Sequence, residues 1–264
     1  MNIVLEPGAA ALLDELHRAG FGAYAVGGCV RDSLLGLDPH DWDLCTSARP
    51  EQVMALFGEE KCIPTGLQHG TVTVKQGGRL YETTTFRTEG AYSDGRHPDS
   101  VAFVPDLRED LARRDFTINA MAWSLGEEDF GRLVDPFDGM RDLHEGIIRT
   151  PCDPDVTFSD DPLRMMRAVR FASQLNFRLF PETFEAIVRN RERIGIVSRE
   201  RIAVELNKIV LSPVPSVGFD LLERTGLLEL IFPEMQRLKG VERRGQHAHK
   251  DNFYHTLKVL DNVA

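Results

Sequence analysis

Two aspartates one residue apart, Asp41 and Asp43 in Asp41-Trp42-Asp43, are the side chains of this sequence best suited by type and spacing to chemistry. On a strand, residues i and i+2 point to one face. Neighbouring carboxylates repel unless a cation neutralises them, and Mg²⁺ prefers carboxylates that share a site with phosphate oxygens. Two such ions would activate an attacking hydroxyl and steady a departing pyrophosphate. An isolated Asp-X-Asp is more often a turn or a solvated loop, so what precedes it matters. Gly27-Gly28 follows the strand-like Tyr24–Val26. Paired glycines let backbone approach a ligand closely and leave amide N–H groups for phosphate oxygens. Arg31 comes next, with five donors suited to phosphate. The glycines do not form Gly-X-Gly-X-X-Gly, which disfavours a dinucleotide fold. Glu82, in the run Arg79–Phe86, is a candidate third carboxylate. An acid in mid-strand is disfavoured unless its face meets solvent or metal, and an exposed edge strand satisfies that as well as a metal site does.

These residues need strands and turns to position them. The runs 24–30, 71–75, 79–86 and 100–105 are rich in Val, Thr and aromatics and predict strands. A helix is expected over 8–20, closed by Gly20, and another over 47–57 with Ser47 as N-cap and Pro50 in its first turn. After Pro154 the strand signals stop. Residues 160–175, 181–194, 198–211 and 215–226 carry apolar residues at helical spacing. The 264 residues, 42% hydrophobic and 27% charged, are ordinary globular composition, enough for one or two domains with a sizeable core. No apolar run nears the roughly 18 residues of a membrane helix, and the acidic N-terminus is no signal peptide. Cys29, Cys45, Cys62 and Cys152 lack paired metal spacing and read as free thiols of a reducing cytosol. The net charge of −10 argues by itself against a nucleic-acid binder. Two segments run the other way: 189–201 holds five Arg against two Glu, and 237–250 holds three Arg and two Lys against one Glu. Each could be a basic contact surface or a solvated helix face.

The segment from Gly27 to Thr46 resembles the signature of the class II nucleotidyltransferases, the family of CCA-adding tRNA nucleotidyltransferases and bacterial poly(A) polymerases. Arg113–Met121, Asp135–Leu143, Asp160–Ala172 and Ser198–Lys208 resemble later motifs of that family, in the same order. The resemblance implies an α+β fold, with a polymerase-β-like nucleotidyltransferase head on a mixed or antiparallel sheet and an all-helical neck and body behind it. The expected divisions are 1–150 for the head, 151–240 for the helical region and 241–264 for the beginning of an HD-type domain. It further implies that Asp41 and Asp43 bind two Mg²⁺ ions with Glu82 as the third acid, and that Gly27, Gly28 and Arg31 hold the triphosphate. Arg113, Asp115 and Asn119 would contact the nucleotide sugar and phosphates. Asp161 and Arg164, three apart at a helix start, would present an acceptor and a donor to the edge of cytosine or adenine, selecting CTP and ATP without a nucleic-acid template. Asp160 stands where the family usually has Glu. Arg167 and Arg170 would reach phosphate or form helix-face pairs.

The implied activity is CCA addition to the tRNA 3′ end, with a cytoplasmic location and no membrane partner. Residues 65–74 resemble the CCA-type head, and the segment before Arg113, with Gly90, Asp94, Gly95, Arg96 and Pro98, has the length expected of an enzyme that adds all three residues. The alternatives are an A-adding or CC-adding specialist, a poly(A) polymerase, a small-molecule nucleotidyltransferase and a catalytically silent RNA-binding module. Residues 245–264 resemble the beginning of an HD domain whose first metal ligand would be His255, with the remaining ligands expected beyond Ala264. His247, His249 and His255 could otherwise form an exposed His-rich turn.

Overall fold

A computed structural model of the chain describes residues 3–90, 99–125, 131–240, 243–244, 247–248 and 251–264. Of the loop residues singled out above, Asp94, Gly95, Arg96 and Pro98 lie outside this set, as does His249. The chain divides into two compact units, the first ending at Leu143 and the second running from His144 to Ala264.

In chain order the first unit holds α1 (Pro7–Arg18), β1 (Ala23–Val26), α2 (Gly28–Leu34), β2 (Asp43–Thr46), α3 (Pro50–Phe57), β3 (Cys62–Gly66), β4 (Thr71–Gln76), β5 (Arg79–Thr85), β6 (Arg87–Glu89), β7 (Val101–Phe103), α4 (Leu107–Ala112), β8 (Ala122–Ser124), β9 (Leu133–Val134) and α5 (Gly139–Glu145), which crosses the division. Seven strands form one mixed sheet in the order β3-β4-β5-β2-β1-β8-β9. Every pairing in it is antiparallel except β2 with β5, where Leu44, Cys45 and Thr46 face Thr83, Thr84 and Thr85 in parallel register. The predicted strand at 100–105 instead pairs with β6 in a separate two-stranded ribbon. α1 buries Ala9, Leu12, Leu13 and Leu16, one helical stripe, against β1 and β2. A second cluster joins Val26, Cys45, Phe86, Leu107, Leu111, Ala120 and Ala122, so α4 is seated on the strands that carry the acids.

The N-cap of α3 is Arg49 rather than Ser47. Ser47 is committed elsewhere, its Oγ accepting from the Gly22 amide at 3.0 Å, while the side chain of Gln52 accepts from the Arg49 amide at 2.8 Å.

The second unit contains β10 (Ile147–Ile148), α6 (Pro154–Asp160), α7 (Leu163–Leu175), β11 (Arg178–Leu179), α8 (Pro181–Asn190), α9 (Arg199–Val210), α10 (Pro215–Thr225), α11 (Leu227–Ile231), α12 (Pro233–Gln236), β12 (Arg243–Arg244), β13 (His247–Ala248) and α13 (Asn252–Val263). Among the described residues it is helical apart from two small ribbons, β10 with β11 in parallel and β12 with β13 antiparallel. α7 is its central helix, buried through Met165, Met166, Val169 and Ala172 and packed on α9 and α10. No helix among the described residues is long and apolar enough to cross a membrane.

The link from α1 to the acid-bearing strand β5 is polar. Glu6 caps α1 by accepting from the Gly8 and Ala9 amides at 2.9 and 3.1 Å, and the buried Tyr81 donates its hydroxyl to the same carboxylate. Burial pushes the Glu6 carboxyl up, but Tyr81, the two amides and the charge of Arg79 outweigh it and hold it below its ordinary value. A lowered folded-state pKa contributes stability above the unfolded-state value that is lost as pH falls through the folded one. Tyr81→Phe is therefore expected to cost about 1 kcal/mol at neutral pH and to shift the acid limb of the stability curve to higher pH. Urea unfolding across that limb measures both, and an unmoved limb would refute the link.

Candidate active site

Asp41 and Asp43 are exposed while the alternating Trp42 and Leu44 are buried, so the two carboxylates share the outer face of the chain as it enters β2. Extending the parallel register back by one residue sets Asp43 beside Glu82, which is likewise exposed between the buried Tyr81 and Thr83. Asp43 remains open to solvent, yet enough protein surrounds it that desolvation pushes its carboxyl up. Glu82 and Asp41 push the same way and Arg114 opposes them. Among the described residues no three His, Cys, Asp or Glu side chains form a group that could hold a metal ion. The acids therefore make an open, incompletely neutralised cluster. That suits Mg²⁺, which commonly binds one or two carboxylates and takes its other ligands from substrate phosphate and water. A cleft of about 720 Å³ opens beside Asp41, lined by Asp38, His40, Trp42 and Tyr81 among others. The larger hollow, about 920 Å³, lies in the second unit among α8, α10 and α13 and contains none of the candidate residues.

The glycine turn stands behind the acids. Gly27 has φ +81° and ψ −130°, a conformation costly for any residue with a Cβ. A Cβ there would also come within 3.3 Å of Arg114 Nη1. Gly28 begins α2, and a Cβ on it would meet Arg31 Nη2 at an ordinary 3.7 Å. Arg31 is held by its neighbours: Nε donates to Asp32 at 2.8 Å and Nη1 to Asn119 Oδ1 at 2.6 Å. Asn119 in turn donates to Asp115 Oδ1 at 3.0 Å, and that oxygen also accepts from the Phe116 amide at 2.9 Å. Arg31, Asn119 and Asp115 thus form one chain of hydrogen bonds, whose first contact spans 88 positions, with Asn119 and Asp115 both buried.

Arg113 is turned away from this group. Its Nε and Nη2 donate to Asp110 and its Nη1 to Glu89, all within 3.1 Å. Arg114, which the sequence reading passed over, is the arginine beside Gly27. Its Nη2 donates to the other Asp110 oxygen at 3.2 Å. Asp110 is fully buried. Burial pushes its carboxyl up, and Arg114 and Arg113 outweigh that and hold it below its ordinary value.

In the second unit, Asp161 is not inside a helix with Arg164. It has extended backbone, φ −129° and ψ 99°, between α6 and α7. Pro162 enforces this, because proline disfavours helical conformation in the residue before it. Asp161 caps the start of α7, its Oδ1 accepting from the Leu163 amide at 3.2 Å, and both its oxygens lie 3.2–3.3 Å from Arg201 Nη2. Arg167 and Arg170 both lie over the Phe171 ring. Arg170 is buried and ion-paired with Glu205 at 3.0 Å, which fastens α7 to α9.

Comparison with known proteins bears on these features. The family described as "Poly A polymerase head domain" matches residues 23–149, and "Probable RNA and SrmB- binding site of polymerase A" matches residues 176–238. The CCA-adding enzyme of Ligilactobacillus salivarius (strain UCC118) is 50% identical over 207 residues, 78% of this chain and 50% of that one. Residues 23–149 belong to the poly(A) polymerase head-domain family. Among solved structures, the Bacillus stearothermophilus CCA-adding enzyme in complex with CTP superimposes with a TM-score of 0.76 at 44% identity, covering 84% of this chain and 53% of that one. A tRNA nucleotidyltransferase complexed with a primer tRNA and an incoming ATP analog gives a TM-score of 0.67 at 31% identity, covering 86% and 66%. The chain spans about half the length of the curated relative described.

The head-domain fold makes the two glycines unequal. Gly27→Ala is expected to lose about 1–3 kcal/mol from its positive φ alone, with crowding of Arg114 added. Gly28→Ala should leave stability within about 0.5 kcal/mol of the parent. Parallel urea titrations compare them, and equal midpoints for the two variants would contradict the turn geometry.

Proposed function

We propose that this chain carries the nucleotidyl-transfer machinery of a template-independent enzyme that adds CCA to the tRNA 3′ end from CTP and ATP, releasing pyrophosphate. The observation that carries this reading is the cluster of Asp41, Asp43 and Glu82 at the parallel β2–β5 pairing. Beside it stands the Gly27 turn, backed by Arg114. A CCA-adding relative at 50% identity and the structural likeness to enzymes bound to CTP or to primer tRNA support the choice of substrates.

In this reading Asp41 and Asp43 hold two Mg²⁺ ions, with Glu82 as the third acid. The bound ions supply charge neutralisation for the phosphates and for the oxygens that attack and leave. The amides of Gly27 and Gly28 and the guanidinium of Arg31 hold the triphosphate. Asn119 and Asp115 keep Arg31 in one orientation, so no reorganisation is needed when substrate arrives. The RNA 3′-hydroxyl releases its proton to solvent as its oxygen bonds to the α-phosphorus, the bond from that phosphorus to the α–β bridging oxygen breaks, and pyrophosphate departs. Positioning and electrostatics provide most of the rate.

Asp161 and Arg164 are the proposed base-selecting pair. Arg201 pins the Asp161 carboxylate, so an acceptor is presented in a fixed direction. A mismatched base then leaves buried polar groups unpaired, which is how such a site discriminates. Arg170, paired inward to Glu205, serves this reading as a brace for α7 rather than as a phosphate ligand.

The test is extension of a tRNA that ends before CCA, with Mg²⁺ and CTP, ATP or both, read at single-nucleotide resolution. Two residues added with CTP alone and three with both, then a stop, are expected. Asp41→Asn or Asp43→Asn should lower the rate at least about a hundredfold. A long A tail, or no extension by a chain that still binds tRNA, would overturn the proposal.

A further inference from the structure

Beneath the acids, the first unit contains a buried charged network that no step of the proposed reaction uses. Asp110, on α4, has no exposed surface. One carboxylate oxygen accepts from Arg113 at 2.8 and 3.1 Å and from the Arg87 amide at 3.3 Å. The other accepts from Arg114 Nη2 at 3.2 Å. Arg113 is also held by Glu89, a nearly buried acid that pairs with Arg87 at 2.9 Å. Arg113 thus has acceptors on two sides. Arg114 differs, because its Nε is buried with no hydrogen-bond partner among the described residues and its Nη1 lies beside the Gly27 turn. Its hydrogen bond to Asp110 is therefore the contact that sets where its remaining donors point.

The geometry points to Asp110 as a positioning residue that acts through Arg114, holding that guanidinium behind the Gly27 turn where its unspent donors meet the triphosphate. This rests on the reading that Gly27, Gly28 and Arg31 hold the phosphates. Burying a carboxylate without full compensation is expensive. Splitting one carboxylate between two arginines compensates it and gives each arginine one orientation. The spacing follows from the sequence. Arg113 and Arg114 stand three and four residues beyond Asp110, so one helical turn brings both guanidinium groups to the same carboxylate. A neutral side chain at 110 would leave Arg114 free to swing, and nucleotide binding would weaken with no change in tRNA contacts.

A double-mutant cycle on nucleotide binding tests this directly. Dissociation constants for CTP and ATP with Mg²⁺, and for tRNA, are measured on the parent, Asp110→Asn, Arg114→Gln and the double variant. Asp110→Asn is expected to weaken both nucleotides about tenfold, leave tRNA affinity unchanged, and add nothing further in the Arg114→Gln background. A purely structural Asp110 would give additive losses, or nucleotide and tRNA affinities that fall together, and either result overturns the inference. Asp110→Glu is carried alongside. It keeps the charge that the fold needs but moves the carboxylate by one methylene, and should weaken nucleotide about threefold, again only when Arg114 is present. If Asp110→Asn does not fold, the Glu variant decides by that same dependence. A parent chain that binds no nucleotide would remove the phosphate-site reading and the inference together, whereas a parent that binds and variants that bind equally well would remove the inference alone.

Discussion

The candidate site of the first unit depends on one parallel strand pairing that brings mutually repelling carboxylates together. β2 and β5 are the only neighbours in the seven-stranded sheet that run in parallel, and their register sets Asp43 beside Glu82 with Asp41 two residues before. Nothing in a stable fold favours three acids there for their own sake. Desolvation first, then the charges of Glu82 and Asp41, push the Asp43 carboxyl up, and the nearby Arg114 offsets only part of it. In the proposed reading the remaining charge is an affinity for cations, set by the backbone pairing. Among the described residues no three such side chains form a complete metal-holding group, so on that reading the affinity would be realised when a ligand brings further oxygens.

Around the cluster, each of three arginines is held by a carboxylate or amide acceptor. Arg31 is clamped by Asp32 and Asn119, Arg113 by Asp110 and Glu89, and Arg114 by Asp110. Below the turn, the Cys29 thiol is buried and pushed up to about 12, by desolvation first and by Asp43 second, so it stays neutral and adds no charge. The second unit repeats the device in simpler form. Asp161 is fixed between the start of α7 and Arg201, and Arg170 is fixed on Glu205.

Much of this was legible from residue order alone, because the informative features were local. The Gly27-Gly28 turn, Arg31 and the Asp-X-Asp spacing lie within one strand–helix–strand passage. The strands at 71–75 and 79–86 carried their own Val and Thr signature. Features that depend on distant pairing were not visible. Arg113 and Arg114 are adjacent and identical in type, and only the fold shows that the first turns to Asp110 and Glu89 while the second faces Gly27. Asp110 was passed over, though its i+3 and i+4 arginines were a usable signal. Arg201 pairs with Asp161 across 40 positions, and no spacing rule reaches that far. Two local misreadings have local causes. Ser47 was committed to Gly22 rather than to a helix cap, and Pro162 kept Asp161 out of the helix.

The central physical claim is that the acids form a cation site completed by the nucleotide. Mn²⁺ binding, followed by electron paramagnetic resonance as loss of the free-ion signal, measures it without requiring turnover. Titrations are run on the chain alone, on CTP alone and on both together. Weak binding to the chain alone and binding at least about tenfold tighter to the chain with CTP than to either component are expected, with the gain lost in Asp43→Asn. Equally tight binding without CTP, or no gain from combining the two, would contradict it.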